Sequence, residues 1–82
     1  MNIQKDTLIY VRGRKYEVKG EKISYDEVVN LAYPNARHGP DYEYDATWKD
    51  GPRGQSDGIL KEGETVQVVE GMKFDVKFTD KS

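Results

Sequence analysis

The 82-residue chain contains no cysteine, which excludes disulfide bonds, thiol nucleophiles and thiolate metal ligands as a basis for its function. Long apolar runs are also missing. No stretch approaches the roughly 18 consecutive apolar residues of a membrane span, and residues 1–6 lack the apolar segment of a secretory signal. With 35% hydrophobic and 34% charged residues, the chain can build one small core. We therefore expect a single soluble domain over residues 1–82, located in the cytoplasm, without a membrane partner.

A net charge of −2 gives the chain no overall positive field for nucleic acid or anionic lipid. The charges are unevenly spread, since residues 1–22 carry six basic and three acidic side chains, whereas residues 41–70 carry three basic and eight acidic ones. We expect two surfaces of opposite sign. Arg12, Arg14 and Lys15 form a basic tip that could bind phosphates, dock an acidic protein partner or be an ordinary solvated turn. Because the acidic segment would repel a polyanion, we predict no nucleic-acid partner.

Two β-rich runs around a glycine predict a hairpin with strands at about 7–12 and 15–19. Its turn could centre on Arg12-Gly13 or on Gly13-Arg14. Both registers put the same apolar set on one face, because side chains alternate with period two. This core face consists of Ile9, Val11, Tyr16 and Val18. Leu8 and Tyr10 fall on the opposite face.

The pattern that follows predicts one short helix. Ser24 is the expected N-cap, and Glu27, three residues later, completes a capping box. Pro34 is expected to stop the helix near Tyr33. An apolar stripe at helical spacing would face a sheet. It comprises Tyr25, Val28, Val29 and Ala32.

Apolar alternation in the second half predicts three more strands, at 42–48, 65–69 and 72–78. Residues 49–58 are rich in glycine and are expected to form an exposed, mobile loop. We expect Ile59-Leu60 to return to the core. The order strand, strand, helix, strand, strand, strand predicts an α+β protein with a mixed sheet of about five strands packed on one helix, and the simplest such packing is a β-grasp fold.

Side chains suited to catalysis are scarce. His38 is the single histidine and lies in a loop, where it is expected to be solvated. The glycine-rich segment 50–58 lacks the Lys-Ser or Lys-Thr end of a phosphate-binding loop. The acidic residues that could collect a hard cation miss the calcium-loop spacing. We predict no enzymatic activity, no cofactor and no metal.

The C-terminus offers the remaining chemistry. If the last strand ends at Phe78, four residues extend beyond it, namely Thr79, Asp80, Lys81 and Ser82. A carboxylate tethered to the end of a β-grasp strand is the group that protein modifiers use. The alternative interpretation is an ordinary frayed end.

Three strings of the sequence resemble the bacterial multiubiquitin-domain family: 22–32, 58–63 and 70–82. The resemblance covers roughly residues 7–82. It implies a ubiquitin-like β-grasp fold and a role as a protein modifier, with 1–6 as a flexible start and 79–82 as the conjugation tail. It also implies partners, namely an activating enzyme, a conjugating enzyme, a processing peptidase and protein targets. In this interpretation the Ser82 carboxylate is adenylated, passed to partner enzymes and joined to a target amine.

The resemblance further implies a partner-binding patch on the sheet face opposite the helix, where alternation places Leu8 and Tyr10. Two features depart from the family. The turn is Arg12-Gly13 instead of Asn-Gly, and the tail ends in Asp80-Lys81-Ser82 instead of Gly-Gly. The partner enzymes could have a wider, charge-lined channel, a peptidase could trim the tail, or the domain could act as a protein-binding adaptor that is never conjugated. The sequence leaves these three open.

Overall fold

The structure is a computed structural model, and it describes residues 6–80. Over this range the chain forms seven strands and one α-helix, with a short 3₁₀ turn at Pro52–Gly54. In chain order the elements are β1 (Asp6–Val11), β2 (Arg14–Lys19), β3 (Lys22–Ser24), α1 (Tyr25–Ala32), β4 (Tyr42–Lys49), β5 (Asp57–Leu60), β6 (Thr65–Gln67) and β7 (Met72–Asp80). No helix within these residues is long and apolar enough to cross a membrane.

Five of the strands form one mixed sheet in the order β2-β1-β7-β4-β5. The central strands β1 and β7 run parallel, and the other neighbours are antiparallel. The helix packs on one face of this sheet, and the opposite face, called the open face below, carries no helix. A first hairpin and a last strand that share one helix are the arrangement of a β-grasp fold, so the predicted fold class is confirmed.

The first hairpin turns at Arg12-Gly13, because Val11 pairs directly with Arg14. Arg12 and Gly13 have φ angles of 51° and 81°, as a type I′ turn requires. A left-handed conformation costs a residue other than glycine about 1 to 2 kcal/mol. The Arg12 guanidinium lies 4.9 Å from the centre of the Tyr33 ring, and a cation–π contact of this kind recovers about 0.5 to 1 kcal/mol.

The helix begins as the sequence predicts. The Ser24 hydroxyl accepts a hydrogen bond from the Glu27 amide at 3.1 Å, and the Ser24 amide donates to the Glu27 carboxylate at 3.3 Å, which is the predicted capping box. Tyr25, Val28 and Val29 are buried against the sheet. The helix ends at Ala32, just before Pro34.

The core lies between α1 and the sheet, and its members follow the predicted alternation. Its fully buried side chains include Ile9, Val11, Val28, Val29, Met72 and Val76. Trp48, on β4, is also buried. Its indole lies so close to Gly51 and Gly58 that no side chain could fit at either glycine.

Several boundaries differ from the prediction. The predicted strand 65–69 is only Thr65–Gln67, and it pairs with β3 in a separate two-stranded sheet. The sequence did not reveal β3, because three residues are too few for a periodic signal. Residues 49–58 are partly ordered by the 3₁₀ turn and the start of β5. The expectation that Ile59 returns to the core was wrong. Only Leu60 does so, since Ile59 lies opposite Thr47 on the open face.

Strands β1 and β7 of the main sheet each extend beyond their predicted bounds. β1 begins at Asp6, so this last residue of the predicted flexible start is paired with Lys19, whereas residues 1–5 lie outside the described residues. β7 continues two residues beyond Phe78, through Asp80, because β4 extends far enough to pair with it.

Candidate functional site

The predicted conjugation tail divides into two parts. Thr79 and Asp80 belong to β7, where they pair with Glu43 and Tyr42 of β4. The Thr79 side chain is exposed, so Thr79 is held by strand pairing with β4 and does not pack in the core. Lys81 and Ser82 lie outside the described residues. The first two of the four predicted tail residues therefore belong to the sheet.

An aromatic cluster surrounds β7 just before the tail. Phe78 is 44% exposed and contacts three tyrosine rings, with centroid distances of 5.2 Å to Tyr44, 5.9 Å to Tyr42 and 6.3 Å to Tyr33. Tyr33 also contacts Tyr44 at 5.7 Å. Aromatic pairs at such distances contribute about 0.5 to 1.5 kcal/mol each beyond their buried area. The cluster therefore packs the end of β7 against β4 and against Tyr33, the residue that follows the helix.

Hydrogen bonds tie the same cluster to the loop after the helix. The Tyr44 hydroxyl donates to the Arg37 carbonyl and accepts from the Arg37 amide, both at 2.9 Å. The Tyr33 hydroxyl donates to the Val76 carbonyl at 3.3 Å. His38 lies at the edge of this group, with its ring centre 6.0 Å from that of Tyr44, and its side chain is exposed.

The sequence did not identify this cluster, because Tyr42, Tyr44 and Phe78 fit an ordinary core alternation. Phe78 is more exposed than the core side chains of β7 because the helix and the strand differ in length. Eight helical residues span about 12 Å, whereas the nine residues of β7 span about 30 Å, so α1 covers only part of the strand. Tyr33 and the loop after it cover the rest incompletely. The sequence signal that could have indicated this is Pro34, because it limits the helix to a length shorter than that of the strand.

Leu8 and Tyr10 lie on the open face, as alternation predicted, and both are half-buried. Their neighbours are charged. Tyr10 lies opposite Lys15 of β2 and Lys73 of β7, and Leu8 lies opposite Glu17. The two residues therefore form a small apolar strip within a polar surface.

The two predicted sites lie apart. Tyr10 is level with Lys73, near the start of β7, and Thr79 lies six residues further along the same strand. At about 3.3 Å per residue this separation is about 20 Å. A partner that engages Tyr10 and the tail together must span this length of the open face.

Around Lys73, the open face forms a shallow cavity of about 610 Å³, and its lining carries both acidic and basic side chains. Lys73 donates from Nζ to Oδ2 of Asp50 at 2.7 Å, and both side chains are exposed. This hydrogen bond and the opposite charge lower the pKa of Asp50 and raise the pKa of Lys73. Such an exposed pair contributes little to stability.

The remaining predictions concern the basic tip of the first hairpin and the absence of a metal site. The basic tip is exposed at Arg14 and Lys15, while Tyr16 is half-buried, with its hydroxyl donating to the Leu31 carbonyl at 3.3 Å. Within residues 6–80, His, Asp and Glu side chains do not gather in groups of three that could hold a metal ion. The absence of a nucleic-acid partner remains a prediction.

Comparison with known proteins adds one finding. A family model described as multiubiquitin matches residues 7–80, nearly the whole chain. A search of the curated proteins and a search of the solved structures each found no match. From this family match, which agrees with the β-grasp topology of the sheet, the chain belongs to the multiubiquitin family.

Proposed function

We propose that the chain is a bacterial, cytoplasmic, ubiquitin-like protein modifier. A partner adenylating enzyme activates its C-terminal carboxylate, which is then conjugated to protein targets. The observation that carries this proposal is the multiubiquitin match over residues 7–80. Thr79, Asp80, Lys81 and Ser82 are the conjugation tail, and Leu8 and Tyr10 on the open face are the candidates for partner binding. The domain supplies a surface and a tail, and the catalytic side chains belong to its partners.

The chemistry balances without a reactive side chain on this domain. The Ser82 carboxylate attacks the α-phosphorus of ATP held by the activating enzyme, and pyrophosphate leaves as the acyl-adenylate forms. A hydroxyl or thiol of a partner then displaces AMP to give an ester or thioester. A target amine displaces that group and forms an amide. A conjugating enzyme and a processing peptidase complete the proposed set of partners.

The tail sequence decides what the activating enzyme must accommodate. Glycine suits a narrow channel because it has no Cβ, whereas this tail presents Asp80, Lys81 and Ser82. In the family-based proposal, the partner has a wider channel with charged walls, or a peptidase removes the last residues first. Mass spectrometry of the chain recovered from its native host would distinguish these two routes by the terminal residue.

The test is to incubate the purified 82-residue chain with ATP and the adenylating enzyme encoded beside it. We expect a trapped acyl-adenylate or ester, seen as a mass increase of the chain, and hydroxylamine should displace AMP or the partner and leave a C-terminal hydroxamate. A variant lacking residues 81–82 should keep its melting temperature, because the described sheet ends at Asp80. It should lose the product if the full tail is used and gain it if a peptidase trims the tail first. An active enzyme that modifies neither form of the chain, or both equally, would contradict the proposal.

A second candidate function is a β-grasp adaptor that binds a protein without covalent transfer. The pairing of Thr79 and Asp80 with β4 favours it, because paired residues are less available to an enzyme channel. The adaptor interpretation predicts that partner binding survives removal of residues 81–82 while no ATP-dependent product forms. Substituting Leu8 and Tyr10 by serine would then weaken binding of the same partner.

A further inference from the structure

Strand β4 is covered along only half of its outer edge. It pairs with β7 over its full length, Tyr42–Lys49, whereas β5 pairs only with Ala46–Lys49. Among the described strands, none lies beside the outer edge of residues 42–45. We call the space between this edge and the end of β5 at residues 60–62 the β4 notch.

The β4 notch forms a cavity beside the uncovered edge of β4. Its volume is about 400 Å³, and its lining includes Gly39 and Pro40 from the loop before β4 and Leu60 and Glu62 from the end of β5 and the residues after it. Four residues of exposed edge span about 13 Å, so about four residues of an extended chain would fit. Ile59, the most exposed large apolar side chain among the described residues at 69%, also lines it.

Some polar groups of this edge already accept or donate hydrogen bonds outside the sheet. The Tyr42 amide donates to the Gly39 carbonyl at 3.2 Å, and the Tyr25 hydroxyl donates to the Tyr44 carbonyl at 2.8 Å. A carbonyl oxygen has a second lone pair. The Tyr42 amide is therefore already used, whereas the Tyr44 carbonyl keeps one lone pair that a partner chain can bind.

The charge of the β4 notch is negative. Asp45 and Glu62 line it, with Lys61 as their basic neighbour, and its walls come from the acidic half of the sequence. The pKa of the Tyr25 hydroxyl reports the same field. It is raised by burial first and then by the charges of Glu62, Asp26 and Asp45.

We infer that the β4 notch binds an extended, lysine- or arginine-bearing segment of a partner protein, which adds a short strand beside residues 42–45. Backbone hydrogen bonds to β4 provide the pairing, and the carboxylates of Asp45 and Glu62 select basic side chains. Ile59 offers an apolar contact on the open-face side. The inference does not depend on conjugation, since it requires neither ATP nor the tail.

The opposite edge of the sheet is not equivalent. Four of the six residues of β2 that line that edge are charged and exposed, namely Arg14, Lys15, Glu17 and Lys19. Charged side chains are a common protection of edge strands. β2 of a second copy is also basic, but it is already held against β1 in its own sheet and cannot adapt to the notch as a flexible chain can. A flexible segment of another protein fits better.

The test uses a capped, fluorescent peptide of about six residues that alternates valine and lysine. We expect it to bind the 82-residue chain, with backbone amide shifts in NMR spectra concentrated at residues 42–45 and 60–62. The paired variant Asp45→Asn with Glu62→Gln should weaken binding about fivefold at low salt. Asp75→Asn, which removes a carboxylate of the open face outside the notch, should change it less than about twofold.

A second measurement separates strand addition from simple charge attraction, and it needs no protein variant. Methylating the peptide backbone at alternate amides removes the hydrogen bonds of one edge only. One methylation pattern should abolish binding and the other should leave it nearly unchanged. The inference is overturned if both patterns bind equally, if a glutamate version of the peptide binds as well, or if the shifts map to Leu8 and Tyr10. Self-association of the chain without peptide binding would overturn it too.

Discussion

The packing of Trp48 against two glycines gives a sharp test of how this small core is closed. Trp48 is only 7% exposed, and a Cβ placed at Gly58 would lie 2.9 Å from indole Cη2 and closer still to two other ring carbons. Gly58 lies directly opposite Trp48 on the neighbouring strand, so the added methyl group would point at the ring. Its φ is not positive, and the backbone itself would therefore accept alanine.

We expect Gly58→Ala to destabilise the protein through this overlap alone. Overpacking of a core costs about 1 to 3 kcal/mol, and the upper half of this range applies because the clash involves a rigid ring and a strand backbone. Since 1 kcal/mol shifts the Tm of a domain of this size by about 4 to 8 °C, the expected fall is about 10 °C or more. Urea unfolding followed by circular dichroism measures the free energy of unfolding directly.

Two comparisons isolate the cause. Gly54→Ala meets no atom within 4 Å but has a φ of 77°, so it should cost only the conformational penalty of about 1 kcal/mol. In a Trp48→Leu background, Gly58→Ala should cost much less than in the natural chain. If Gly58→Ala were no worse than Gly54→Ala, or if its cost were the same beside leucine, the explanation by contact with the indole would be refuted.

Three further predictions follow from single contacts. Ser24→Ala removes the N-cap and should lower the free energy of unfolding by about 1 kcal/mol, measured in urea, whereas Ser24→Asp should restore most of it. Tyr25 has a raised pKa, so the stability that it provides is complete below the ordinary tyrosine pKa and is lost as the pH rises through the folded value. Tyr25→Phe should remove this alkaline loss, while an unchanged pH profile would contradict it. Lys73→Gln should raise the pKa of Asp50 toward its ordinary value in a carbon-13 NMR titration, and an unmoved titration would show that the ion pair does not form in solution.

Local signals in the sequence were sufficient for most of the fold. The capping box at Ser24, the stop near Pro34 and the alternation along β4 and β7 act over a few residues, and each is confirmed. The same alternation placed Leu8 and Tyr10 on the open face. The functional assignment of these two residues and of the tail remains a prediction, because position on a face does not reveal a partner.

The less predictable features depend on how distant strands align. The sequence could not show that β7 continues through Asp80, because this depends on where β4 begins beside it. It could not show that Ile59 is exposed, since an isolated apolar pair does not reveal which of its members faces the core. β3 and β6 are too short to carry a period and exist only because they pair with each other.

The sequence by itself determined the order of the main elements, the single helix and the division into a basic first part and an acidic second part, because propensity, capping and side-chain alternation are local properties. Only the tertiary structure decided that α1 is too short to cover β7, which leaves Phe78 in an aromatic cluster. It also decided that β5 is too short to cover β4, which leaves the β4 notch. Both results come from the relative lengths of elements that meet in space, and no single segment of the chain contains that information.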